Sequence, residues 1–296
     1  MVDECVESLA EIFSMREDSL GKVSERFFRH YDGFQGNKKK IGQLVKTYRQ
    51  YFEVCDCSGK TVVDVGCGFG LQPAVYALSG AQKVVGVDPV AGNIRFCNYL
   101  KQRYLSQCPG LDFLIQDGCS LGLRDESMDV AVMTESLSHM DEPSSSLEEA
   151  HRILRQGGIL HIVDGNNSLA VPSRLKRRLE WKRMEDESFR PKRIEIIKDI
   201  KQDLDGDMIE AISSETRGLW GGGLREAVDE YARTGRITDK PCFKYRDPVT
   251  GQCHEREFNP LELVRRLEGL GFTATLMKPT YNPAHLLASL AAKLVS

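Results

Sequence analysis

The 296-residue chain carries 40 Lys and Arg against 43 Asp and Glu, a formal net charge of −3, and 41% hydrophobic residues. This is enough apolar material for a sizeable core, and the balance lacks the basic excess of a general nucleic-acid binder, so no nucleic-acid partner is expected. No run of eighteen apolar residues suggests a membrane span, and the acidic start Met1-Val2-Asp3-Glu4-Cys5 has no signal-peptide pattern. The nine cysteines are odd in number and scattered, which reads as reduced thiols of a cytoplasmic protein.

Residues 1–60 read as a helical cover, with Val6, Leu9, Ile12 and Phe13, and again Ile41, Leu44, Val45 and Tyr48, at helical spacing. From Thr61 the pattern alternates. Strands are expected at 61–65, 83–87, 112–116, 128–133 and 158–163, and helices at 71–79, 91–105 and 144–155, with Gly157-Gly158 separating the last helix from its strand. Such alternation over 61–164 predicts an α/β fold, a doubly wound and mostly parallel sheet covered on both faces.

Residues 165–257 break the rhythm and read as an inserted cap beside the carboxyl ends of the strands, where open α/β sheets take their ligands. A basic run from Arg174 to Arg193, mixed with Glu180, Glu185, Asp186 and Glu187, reads as a solvated helix face laced with ion pairs, with an anionic acceptor (a carboxylate, a phosphate or an anionic lipid surface) as the other reading. A hairpin is expected at Cys242-Phe243-Lys244-Tyr245, turning at Asp247–Gly251, and His254 follows it. Residues 258–296 resume the core. A helix opens at Asn259-Pro260, a strand spans 272–276, and a final helix carries Leu286, Leu287, Leu290, Leu294 and Val295, packed on the cap or on a second copy in a homodimer.

The most telling stretch is Val62-Val63-Asp64-Val65-Gly66-Cys67-Gly68-Phe69-Gly70, followed by Val84-Val85-Gly86-Val87-Asp88. Two apolar runs end in carboxylates, and glycines between them let the backbone approach a ligand where a Cβ would collide. The second carboxylate is placed as in sites that grip a ribose diol. A dinucleotide turn would show Gly-x-Gly-x-x-Gly, but position 71 is Leu, and Asp64 would repel a pyrophosphate. Asp117-Gly118-Cys119 ends the third strand, and Thr134-Glu135-Ser136-Leu137-Ser138-His139 follows the fourth. Cys55-x-Cys57 has no partner pair at zinc spacing, so no metal is expected.

With these motifs in order, residues 61–164, and 259–278 less closely, resemble the class I S-adenosylmethionine-dependent methyltransferases. The likeness is greatest to the branch that modifies small metabolites, quinones and lipids, which shows Glu-x-Leu-x-His and then Leu-x-Pro-Gly-Gly. Here these are Glu135-Ser136-Leu137-Ser138-His139 and Leu154-Arg155-Gln156-Gly157-Gly158, with Gln156 in place of the proline. The resemblance implies a Rossmann-like methyltransferase fold, S-adenosylmethionine as cofactor and S-adenosylhomocysteine as product.

It also implies roles for individual residues. Asp64, Gly66 and Gly68 would face the methionine moiety, with Asp64 near its ammonium, and Thr134 would offer its backbone carbonyl to that ammonium. Asp88 would hold the ribose hydroxyls. Asp117 would meet the adenine amino group, with the Gly118 and Cys119 backbone nearby. Cys67 and Pro89 complete the set, and Tyr31 would reach over the cofactor from the N-terminal helices. The chemistry agrees, since a sulfonium and an ammonium suit carboxylates and carbonyls better than a phosphate cradle does. Methyl transfer to a small organic acceptor (on O, N or C) by in-line displacement is the expected activity. His139 is the candidate base and Glu135 the candidate orienting group, while Asp164 and Asn166 read as turn residues. Methylation of tRNA or protein, and a non-catalytic cofactor-binding module, are the other readings.

Overall fold

In the computed structural model the described residues are 2–15, 21–165, 171–237, 245–251, 258–277 and 287–294. Contacts divide the chain into two compact units. One comprises Met1–Leu137, Glu142–Gly165 and Asn259–Ser296, and the other comprises Ser138–Asp141 and Asn166–Phe258. Phe243 and His254 of the expected hairpin region, together with Asn166, lie outside the described residues.

The first unit opens with three helices, α1 (Val2–Phe13), α2 (Lys22–His30) and α3 (Lys38–Val54). There follow β1 (Thr61–Val65), α4 (Leu71–Leu78), β2 (Lys83–Asp88), α5 (Ala91–Tyr104), β3 (Leu111–Ile115), β4 (Met128–Thr134), α6 (Pro143–Ile153) and β5 (Leu154–Gly165). The β-branched runs of β1, β2 and β4 are buried almost throughout, which is the pattern of strands covered on both faces. Helix α1 packs on α3, α4 and α5, and α2 packs on α5. Phe13, Phe27, Phe69 and Phe96 join these helices to the loop after β1 in one aromatic core.

The sheet order is β3-β2-β1-β4-β5-β7-β6, where β6 is Phe272–Met277 and β7 is Leu287–Leu294. The first five strands in this order are parallel neighbours, and β7 runs antiparallel to both β5 and β6. The expected final helix is therefore a strand. Leu287, Leu290 and Leu294 fit a helical period, but Leu290, Ala292 and Leu294 also alternate by two, and these three are the ones buried. The open slot between β5 and β6 selects the second period.

A smaller correction concerns Gly157-Gly158. Helix α6 stops at Ile153, and the glycine pair lies within β5, where pairing jumps from Met128↔Leu154 to Val130↔Ile159. Gly157, at φ 78, turns the backbone in that bulge instead of ending the helix. Helix α11 (Pro260–Gly269) follows the Asn259 cap as expected and packs on β6.

The second unit contains α7 (Val171–Met184), a π-helical turn (Glu185–Phe189), α8 (Arg190–Ile200), α9 (Gly206–Glu215) and α10 (Gly221–Thr234). Its core is Ile197, Ile209, Ile212, Leu224 and Val228. The expected turn at Asp247–Gly251 forms, with Asp247 Oδ1 accepting from Val249 N at 2.8 Å and Thr250 N at 3.1 Å. The charged run is not wholly solvated. Glu185, the first residue of the π turn, and Arg193 are buried and paired with each other.

Candidate cofactor and active site

Asp64 sits near the end of β1, between Gly86 of β2 and Val132 of β4, and is buried. Beyond β1 the chain turns back onto β2, with Gly66 N and Cys67 N donating to Val87 O at 2.8 and 2.9 Å. Gly66 has φ 85, and a Cβ there would stand 2.4 Å from Ser136 Cβ. Ser136 is itself fixed by its hydroxyl donating to Val65 O at 2.6 Å. The loops after β1 and β4 thus interlock at a point where only glycine fits. Gly66→Ala is expected to cost on the order of 2–3 kcal/mol of stability, combining overpacking with left-handed strain. Chemical denaturation checks this, and a variant as stable as the parent would contradict the contact.

Gly68 differs. At φ 54, a Cβ would point into open space. Its N–H donates to Asp88 Oδ2 at 3.0 Å and its carbonyl accepts from Cys97 Sγ at 3.3 Å. The backbone here is held from behind and bare in front, the form of a cradle for a ligand.

Asp88 ends β2. Its Oδ1 accepts from Val90 N at 2.9 Å and from Asn93 Nδ2 at 3.1 Å. Asn93 Oδ1 is buried without a hydrogen-bond partner, as is Thr134 Oγ1 at the end of β4. Burial and the neighbouring Asp88 charge push Asp64 up to about 8. Burial also raises Asp88, partly offset by its hydrogen bonds from Val90, Gly68 and Asn93 and by the charge of Arg26. Two buried carboxylates beside one another favour a cation between them.

Tyr31 caps α2 and stacks among Phe13, Phe27, Phe34 and Phe69. Burial raises its phenol despite a hydrogen bond with Tyr48, and the Glu135 and Asp64 charges raise it further. Tyr48 on α3 feels Asp64 and Glu135 as well. Glu135 follows β4 at φ 50, a costly backbone for a non-glycine residue, and its N–H donates to Val163 O at 2.7 Å. Asp117 follows β3 beside Asp88, with the intervening Gln116 N donating to Asp88 O at 3.3 Å. Its carboxylate accepts from Cys119 N at 2.9 Å, and Gly118 between them is buried, whereas Pro89 after Asp88 is exposed.

Asp64, Gly66, Cys67, Gly68, Asp88, Thr134, Glu135 and Tyr31 thus gather at the carboxyl edge of β1, β2 and β4, with Asp117–Cys119 adjoining at β3. His139 is placed differently. It ends the short 3-10 turn Leu137–His139, and Ser138–Asp141 group with the second unit. There Asp141 pairs with Arg246. Asn93, Tyr48 and Arg26 were not anticipated. Asn93 had a signal, lying five positions beyond Asp88 within the first turn of α5. Among the described residues no group of three or more His, Cys, Asp or Glu could hold a metal, and no helix is long and apolar enough to cross a membrane.

The core is thus a doubly wound sheet with two buried acidic strand ends beside an open glycine. Residues 63–162 match the family described as methyltransferase domain. The chain is 35% identical over 130 residues to the mouse mitochondrial ubiquinone biosynthesis O-methyltransferase, covering 42% of this chain and 34% of that one. It is 32% identical over 121 residues to a probable phthiotriol/phenolphthiotriol dimycocerosates methyltransferase of Mycobacterium ulcerans, covering 40% of this chain and 45% of that one. It thus spans between a third and a half of the length of these two relatives. In fold it is similar to the magnesium protoporphyrin IX methyltransferase of Synechocystis, with TM-score 0.53 and 17% identity over 96% of this chain and 99% of that one. The α/β core is thus similar to methyltransferase domains.

Proposed function

We propose that the chain binds S-adenosylmethionine at the edge formed by β1, β2, β3 and β4 and transfers its methyl group to a small organic acceptor. The observation that carries this is the pair Asp64 and Asp88, buried within reach of each other's charge, with Asp88 holding the N–H of the open Gly68. Asp64 and Thr134 would meet the cofactor's ammonium. Asp88, with the free Asn93 Oδ1, would accept from the ribose hydroxyls, and Asp117 with the Gly118–Cys119 backbone would meet the adenine. Gly66, Cys67 and Pro89 shape the walls, and Tyr31 closes over them.

When bound, the cofactor supplies a methyl group already activated on a sulfonium. The residues have to align the acceptor and exclude water, which is worth on the order of 7–11 kcal/mol for well-oriented reactants. Glu135 would orient the acceptor and His139 would take its proton. The segment inserted after β5 we read as the cap that selects the acceptor. The relatives are named for a quinone, a mycobacterial lipid and a porphyrin, which favours a small acceptor over tRNA or protein and over a module without turnover. The buried thiols of Cys5, Cys55, Cys57, Cys67, Cys97 and Cys108 suit a reducing compartment such as the cytoplasm.

Calorimetric titration tests the proposal. S-adenosylmethionine and S-adenosylhomocysteine should bind saturably and NAD should not, and the reverse order would refute it. Once an acceptor is found, His139→Ala should lower kcat by about 10²- to 10⁴-fold while leaving cofactor affinity within twofold. An unchanged kcat would reduce His139 to a structural residue.

A further inference from the structure

Helix α7 carries six Arg and Lys and one acid, Glu180, within 14 residues of a chain whose net charge is −3. It also exposes two leucines. Leu175 is 57% exposed and Leu179 is 59% exposed. They stand one helical turn apart and therefore share a face. Neither belongs to the core of this unit, which is built on Ile197, Ile209, Ile212, Leu224 and Val228. The helix meets its own unit through other positions. Trp181 lies 6.1 Å from the Tyr245 ring, and both Trp181 and Met184 are half-buried.

Long cations border the two leucines. Arg178 and Lys182 are exposed and lie three positions beyond Leu175 and Leu179, while the exposed Arg183 lies four beyond Leu179. Arg183 pairs with Glu187 at 3.4 Å, but both side chains are largely in water, where such a pair is worth little. Cations in the last turn suit the helix dipole, which accounts for Lys182 and Arg183 and leaves the bare leucines unexplained. A single exposed leucine is ordinary. Two on one face, set among basic stems, match a helix that lies in a bilayer interface.

We propose that α7 docks flat on an anionic lipid bilayer. Leu175 and Leu179 enter the acyl boundary, and Arg178, Lys182 and Arg183 reach headgroup phosphates while their stems extend the apolar strip. The net negative charge of the chain does not oppose this, because charges more than about 8–10 Å away are largely screened at physiological salt. A stable protein interface needs roughly 800 Å² per partner, more than two leucines and their neighbours offer, whereas a bilayer accepts a narrow strip. With 14 residues the helix lies on the bilayer and is too short to cross it. Bilayer docking stands apart from the methyl-transfer reading.

The test is co-sedimentation of the full-length chain with vesicles of equimolar phosphatidylglycerol and phosphatidylcholine, against vesicles of phosphatidylcholine alone. The anionic vesicles should bind the chain saturably and at least about tenfold more tightly, and added salt should weaken that binding. Each cation near the headgroups is worth about fivefold in affinity, so Arg178→Gln with Lys182→Gln should lose about 25-fold. Leu175→Ser with Leu179→Ser should lose about tenfold or more, since roughly half of each side chain is still to be buried. Thermal midpoint and S-adenosylmethionine affinity, measured on the same samples, should not move in either double variant. Absence of saturable binding, equal binding to both vesicles, parental binding by either double variant, or displacement from the vesicles by polyuridylate would each overturn the proposal. Loss of S-adenosylmethionine binding in the parent chain would instead overturn the methyltransferase reading while leaving the vesicle result standing.

Discussion

Asp88→Ala is expected to weaken S-adenosylmethionine binding by between about 10²- and 10⁴-fold. The estimate takes two charge-assisted hydrogen bonds to the ribose at roughly 1.5–3 kcal/mol each. The substitution also strips an acceptor from Gly68 N, Val90 N and Asn93 Nδ2, so the Gly66–Gly70 loop keeps only the bonds of Gly66 N and Cys67 N to Val87 O on β2. Thermal stability should fall with affinity. Asp88→Asn separates the two effects, since its amide oxygen can still accept from part of this set. It should lose less stability than the alanine variant and still bind the cofactor poorly. Calorimetry showing the alanine variant within threefold of the parent would remove Asp88 from the site.

Asp64→Asn should abolish tight cofactor binding and yet make the free protein more stable at neutral pH. The carboxyl ionises near 3.8 when unfolded and is held up to about 8 in the fold. Between those values the unfolded chain gives up the proton more readily, so stability falls as pH rises, with a slope of up to about 1.4 kcal/mol per pH unit. Asparagine removes that loss. The variant should match the parent near pH 4 and exceed it increasingly toward pH 8, as read by denaturant melts.

The same carboxyl governs cofactor affinity. At pH 7 the free protein largely holds this proton, and a bound ammonium favours releasing it. Affinity should improve by close to tenfold from pH 6 to 7 and level off above about pH 8. Calorimetry in buffers of different ionisation heat should register nearly one proton released at pH 7. A flat pH profile in the parent would show that Asp64 does not meet the cation.

Much of the core is legible from side-chain chemistry alone. Val62-Val63, Val84-Val85 and Val130-Ala131-Val132 are apolar, mostly β-branched runs that favour buried strands, and each leads to a polar residue at the carboxyl edge. What escapes sequence reading depends on distant contacts. Tyr48 and Arg26 reach the carboxylates through helix packing that their own periodicity does not encode. His139 falls with the second unit because Asp141 pairs with Arg246, 105 positions away. Glu185 is buried against Arg193, where a π turn breaks the regular helical period. Leu287–Leu294 carries both periods at once, and only its two neighbours decide between them.

That last strand has a consequence for how the molecule is made. Strand β7 comes later in sequence than both partners, yet it lies in the interior of the sheet. Until it is threaded in, β5 and β6 each present an unsatisfied border to other chains, and the whole second unit has already been synthesised by then. Nascent or truncated forms lacking 287–294 are therefore the species most prone to self-association, and a chaperone acting on this protein would have those two borders to shield.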